Sequence, residues 1–182
     1  MPHDDHISEH PAPVNPYSAN DVLEILSENL WLTSDPTPAQ SAWAERAALL
    51  LGHFAEDPIG LANLLRLVFH YDAAQILQSP DAHAALSRKS ARNVIRHLAL
   101  LLLDPAPFTS ERFKEIVTEL KEKLQVRSRD LFHPIRLALA GRIGEGELDR
   151  VILLLDDAST LPFATPVKSP RTRILEFCAA LD

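Results

Sequence analysis

Leu131-Phe132-His133-Pro134-Ile135-Arg136-Leu137-Ala138-Leu139-Ala140-Gly141 contains a helix start, a short apolar body and a stop. Ser128, just ahead of it, offers an N-cap hydroxyl for an otherwise unpaired backbone N–H. Pro134 reads as early enough in the helix that its missing N–H costs no hydrogen bond. Leu131, Ile135 and Leu139 recur at helical spacing and give one apolar face. Gly141 stands where a helix closes on a left-handed residue, a conformation that side chains disfavour. Arg136 follows Ile135 directly, so it is expected to point away from the apolar face. There an arginine is either solvated or aimed at a ligand.

The same helical grammar extends in both directions. Upstream, Ser18 or Asn20 caps a helix with Val22, Leu23, Leu26 and Leu30 inward, closed by Trp31 and Leu32 and broken at Asp35-Pro36-Thr37-Pro38. A second helix is expected from Pro38 to about Phe54. A third starts at Asp57-Pro58 with Leu61, Leu64, Leu65, Val68 and Phe69 inward, and a short one follows over Asp72–Leu77. Ser79-Pro80 opens the longest expected helix, to about Leu103, with Pro80 at its first position. Asp104-Pro105-Ala106-Pro107 reads as the main linker. Thr109 then caps a helix through Leu124, and Arg142-Ile143-Gly144-Glu145-Gly146 reads as a mobile turn. Helices follow from Glu147 to Leu155 and from Ser169-Pro170 to Leu181. No strand alternation and no solenoid-period repeat occur. The expected fold is all-α, with a tail over residues 1–19, a helical subdomain over 20–104 and a second over 108–182.

Composition agrees with a small helical fold. Of 182 residues, 46% are hydrophobic and only 5 are Gly, which favours helix over sheet. A lone cysteine, Cys178, rules out an internal disulfide and a cysteine zinc site, and reads as a small half-buried hydrophobe. His3, His6 and His10 with Asp4 and Asp5 have no spacing that closes a metal site. No apolar run nears the roughly 20 residues that span a bilayer, so no membrane role and a cytoplasmic location are expected. Net charge is −7, unlike a bulk nucleic-acid binder. Residues 1–108 hold 6 Lys and Arg against 13 Asp and Glu, whereas residues 109–150 hold 9 against 8. Any RNA contact must therefore come from local patches. One candidate is Arg88, Lys89, Arg92 and Arg96, where no acid occurs between Asp81 and Asp104. Like charges at that spacing repel mildly, so they read either as a phosphate-tracking stripe or as a solvated face.

The run Pro134-Ile135-Arg136-Leu137-Ala138-Leu139-Ala140-Gly141 resembles the Pro-Leu-Arg-x-Ala-Leu-Thr-Gly run of the anticodon-binding region of bacterial glutamyl-tRNA synthetases, differing at Ile135 and Ala140. His70-Tyr71-Asp72-Ala73-Ala74, Leu77 and Pro80-Asp81-Ala82 resemble that family's Tyr-Asp…Leu-x-x-Pro-Glu-Ala segment. Phe108-Thr109 opens a helix as the family's penultimate helix does, and Leu148 through Leu155 resembles its Leu-x-x-x-Leu-x-Leu-Leu-Gly run. The likeness spans about residues 36–158. It implies a helical cage of two small subdomains. It further implies anticodon contacts at Arg136, which matches the family arginine, and at Leu148, which matches a leucine packing on a base. A guanidinium can stack on an unstacked base and donate to its edge. Where the family has Thr-Pro, this chain has Glu145-Gly146. A carboxylate there repels phosphate, yet can accept from a cytosine or guanine amino group. Arg127, Arg129 and Arg142 are phosphate candidates, and His133 reads as a capping or packing residue.

No catalytic constellation is visible. Neither a Gly-rich phosphate loop nor a nucleophile elbow occurs, and the His-x-Gly-His and Lys-Met-Ser-Lys-Ser signatures of class I synthetases are absent. No cofactor is implied. The expected function is a stand-alone, non-catalytic module that binds tRNA at the anticodon loop. Its partner would be the tRNA for glutamate or a related one, beside a synthetase or tRNA-modifying enzyme that supplies the chemistry. The alternative is a protein-interaction or regulatory module that kept the cage and lost RNA.

Overall fold

The computed structural model describes residues 15–182, and every regular element among them is helical. Ten α-helices follow in order: α1 (Ala19–Glu28), α2 (Pro38–Leu51), α3 (Pro58–Phe69), α4 (Ala73–Gln78), α5 (Pro80–Leu86), α6 (Ala91–Leu102), α7 (Ser110–Leu124), α8 (Arg129–Ala140), α9 (Gly146–Ser159) and α10 (Pro170–Leu181). A 3-10 turn, Gly52–Phe54, extends α2. Most starts are written in side chains. Ser18 and Thr37 form reciprocal capping boxes with Asp21 and Gln40, while Asp57, Asp72, Ser79, Thr109 and Ser169 each accept from a first-turn N–H.

Four expectations are corrected. The tail read over 1–19 is too long: Asn15 Nδ2 donates to the Ala48 carbonyl at 2.6 Å, Tyr17 packs on the core and Ser18 caps α1. His3, His6, His10, Asp4 and Asp5 lie outside the described residues. The single helix from Pro80 to Leu103 is two, α5 and α6, parted at Ser87–Ser90. The Ser87 hydroxyl donates to the Ala84 carbonyl at 2.8 Å, offering the backbone a local alternative to the helix ladder. Ser128 does not cap α8 with its side chain; it sits at φ +56 and only its carbonyl accepts, from Leu131 and Phe132. Pro134 is the sixth residue of α8, inside the helix, so the Asp130 carbonyl has no helical N–H to receive.

One buried core runs through both halves of the chain and across Asp104–Pro107. Trp31 stacks on Phe69 with centroids 4.8 Å apart, and Trp43, Phe69 and Phe163 meet edge to face at 5.2–5.9 Å. Trp43 Nε1 donates to the Leu154 carbonyl at 3.0 Å, tying α2 to α9. The linker itself is pinned by the Arg112 guanidinium, which donates to the carbonyls of Leu101, Asp104 and Ala106.

At the centre lies Arg173, with 0% of its surface exposed. Its guanidinium donates to Leu67 and Leu139 at 3.0 Å, to Val68 at 2.6 Å and to Lys168 at 3.0 Å, and lies 4.7 Å over the Tyr71 ring. Leu67, Val68 and Leu139 belong to the last turns of α3 and α8, whose carbonyls have no partner within the helix and carry partial negative charge. One cation thus closes two helix C-termini. Burial lowers its pKa to about 10, so it remains charged at neutral pH. The Tyr71 hydroxyl donates to the Ala138 carbonyl at 2.6 Å and lies 3.0 Å from that of Arg173. This joint fixes α8 in place.

Candidate nucleic-acid interface

Helix α8 is surrounded by α5, α6, α7, α9 and α10. Pro134 to Ala140 are all buried in consequence. No outward face exists at Arg136, which is 8% exposed. The expectation of an unpaired, outward guanidinium is corrected: pointing away from Ile135 aims Arg136 at α9. There Nε and Nη2 donate to the two Asp149 carboxylate oxygens, each at 2.9 Å, and Nη1 donates to the Gly144 carbonyl at 2.8 Å. The guanidinium carbon also lies 4.8 Å over the Phe132 ring. This bidentate fork is the strong form of the ion pair, and it leaves little of the guanidinium for a base.

The clamp shapes the α8–α9 turn. Gly141 adopts φ +88 and donates to the Arg136 and Leu137 carbonyls, while a Cβ there would meet Ile76 Cδ1 at 3.3 Å. Ile143 N donates to Asp81 Oδ2 at 3.1 Å, and Glu145 N donates to Glu147 Oε1 at 3.2 Å. A turn expected to be mobile is therefore held at three points. Leu148 is corrected as well: it is 0% exposed, packed into the core from the first turn of α9.

Other expected site residues do reach the surface. Arg88, Lys89, Arg92, Arg96, Arg127, Arg129 and Glu145 are exposed, and Arg142 is half-buried. Arg88 Nη1 pairs with Asp130 Oδ1 at 2.8 Å with both side chains close to half exposed, the kind of pair worth about 0–1 kcal/mol. His133 is half-buried on α8, one turn after Arg129. Burial and then the charges of Arg129, Arg136 and Arg88 lower its pKa, opposed by Glu145. Arg88, from the α5–α6 turn, is brought to the start of α8 by its pair with Asp130, the neighbour of Arg129, although the two turns are about 40 residues apart. Arg92 and Arg96 are not part of that group. Arg92 borders a hollow with His83, Leu86, Ala180 and Leu181, and Arg96 acts on Cys178 of α10. The break between α5 and α6 is what divides the supposed stripe.

Sequence reasoning missed Asp149, Phe132, Asp130, Tyr71 and Arg173. Asp149 had a faint signal, as an acid in the first turn of the helix expected from Glu147. Arg173 had none, since its partners are backbone carbonyls.

Among the described residues no helix is long and apolar enough to cross a membrane, and no cluster of His, Cys, Asp and Glu is suited to a metal.

Comparison with known proteins agrees with the helical geometry. Glutamate–tRNA ligase 2 of Syntrophus aciditrophicus is 35% identical over 80 residues, covering 43% of this chain and 16% of the ligase. Glutamate–tRNA ligase of Exiguobacterium sibiricum is 24% identical over 133 residues, covering 73% of this chain and 27% of the ligase. Glutamate–tRNA ligase 2 of Thermoanaerobacter pseudethanolicus is 33% identical over 69 residues. The chain thus matches about a quarter or less of these relatives' length. No solved structure matches it significantly. The anticodon binding domain family matches residues 16–161, most of the described chain, and the protein belongs to that family.

Proposed function

We propose that this chain binds tRNA in or near the anticodon loop and takes no part in chemistry itself. The tRNA would be that for glutamate or a related one, delivered to or shared with a synthetase or tRNA-modifying enzyme. The observation that carries the reading is that Arg88, paired with Asp130 across the α5–α6 turn, lies next to Arg129 and His133, one turn apart at the start of α8, in a chain of the anticodon binding domain family. RNA would enter over His133 and Arg129, with Arg142 and Glu145 at the edge of the turn. Arg136 serves as a positioning residue that sets the turn, and Leu148 supports it from below.

A second reading, a protein-docking module that lost RNA, is favoured by one observation. The best family-matched cation, Arg136, is neutralised by Asp149, and Asp81, Glu145 and Glu147 surround the same turn. A tRNA gel shift at two salt concentrations separates the two. Binding through a few phosphates weakens steeply with salt as counterions are released. Absence of a shift at low salt removes the RNA reading and leaves the docking module.

A further inference from the structure

A cleft of about 560 Å³ lies between two turns that are distant in sequence. Arg88, Lys89, Ser90 and Asn93 form one wall, from the α5–α6 turn and the start of α6. Leu124 and Val126, half-buried at the end of α7 and just beyond it, supply apolar surface opposite. Asp130 is the one acid among its lining residues, and it is occupied with Arg88. Arg129, beside Asp130 in the first turn of α8, adds a further exposed cation next to the cleft. The first turn of α6 has no acid and no side-chain cap, and its backbone N–H groups add to the positive potential.

A single small anion would need a pocket with convergent donors. Here the donors are strung along an open cleft with apolar surface between them, which suits a chain of phosphates joined by sugars. We propose that this cleft is a backbone subsite for the RNA strand leaving the loop, with Arg88 and Lys89 as phosphate ligands and Asp130 holding Arg88 while RNA is absent. The inference rests on the RNA-binding reading above and adds a second contact region outside the Arg136 run. Releasing Arg88 is easy because its pair with Asp130 is open to water, unlike the enclosed Arg136–Asp149 fork. Backbone contacts of this kind fix position and carry no base information.

The test uses the full chain and fluorescence anisotropy with an RNA hairpin bearing an anticodon-type loop, titrated across salt. Arg88→Ala with Lys89→Ala should lower the slope of log affinity against log salt by about 1.4, two phosphates at about 0.7 each for a single strand. Preference among loop sequences should not change. Lys89→Glu, on an exposed turn and harmless to packing, should weaken binding more than Lys89→Ala. Asp130→Asn should tighten binding several-fold at low salt, because it frees Arg88 and removes the cleft's acid. An unchanged salt slope in the double variant, or weaker binding by Asp130→Asn, overturns the subsite while RNA binding by the parent chain stands. A parent chain that fails to bind at low salt overturns the RNA reading itself, and the subsite with it.

Discussion

At the scale of single residues, this protein uses its most enclosed cations to hold backbone and its exposed ones to face solvent. Arg136 and Arg173 show the first use. Removing Arg136 strands a half-enclosed Asp149 and frees the Gly144 carbonyl. Arg136→Ala should cost about 2–4 kcal/mol in urea unfolding, toward the low end for a broken buried pair because Asp149 keeps some water. Lysine cannot reproduce the fork, so Arg136→Lys should recover less than half of that loss. A fully stable Arg136→Ala that fails to bind RNA would instead make Arg136 a direct ligand. His133 gives a pH dependence. Its pKa is lowered in the folded chain by burial and by Arg129, Arg136 and Arg88, against Glu145. Between its ordinary 6.5 and its lowered folded value, the unfolded chain therefore binds the proton first. Stability should be fully present above that range and fall as pH drops through it, and His133→Gln should flatten that part of the profile. Phosphate brought beside His133 would reverse the shift. The imidazole resonance followed by NMR should then titrate at higher pH with RNA bound, and no movement would place the RNA elsewhere.

At the scale of elements, the α8–α9 turn depends on Gly141. Its left-handed φ of +88 excludes most side chains without strain, and Ile76 stands 3.3 Å from where a Cβ would sit. Gly141→Ala should lower stability by about 1–2 kcal/mol, measured by chemical denaturation. A neutral outcome would mean that the turn relaxes freely and is not held by the Arg136 clamp. The α5–α6 break shows the opposite situation. There no glycine or proline marks the end of α5; two serines and a pair of adjacent cations suffice once the two helices pack in different directions, α5 on α4 and α8, and α6 on α7, α8 and α10. Arg88 and Lys89 reach their cleft because of that break.

At the scale of the whole molecule, the two halves share a core. Trp43 reaches Leu154, Tyr71 reaches Ala138, and Arg173 joins the ends of α3 and α8. Residues 15–104 expressed alone should therefore lack a cooperative thermal transition and show poorly dispersed amide resonances, while the two halves mixed should regain some order. A sharp transition in the isolated half would show that its share of the core is enough by itself.

The sequence by itself determined most of the helices, though not the α5–α6 break, because caps, prolines at first positions and apolar spacing are local properties and each carries its own physical signal. Ser18, Asp57, Ser79, Thr109 and Ser169 were legible as helix starts for that reason, whereas the caps at Thr37 and Asp72 were not. The run from Leu131 to Gly141 also marked the helix that the other elements pack around and the residue that ends it. Only the tertiary structure decided what Arg136 does, because its environment comes from α9 and from the helices that bury α8 from Pro134 to Ala140. The same holds for Leu148, whose burial reflects packing and not periodicity, and for Arg173, whose partners are carbonyls that every sequence contains. Charge is read from composition, but whether a charge is free depends on what folding brings within about 3 Å of it.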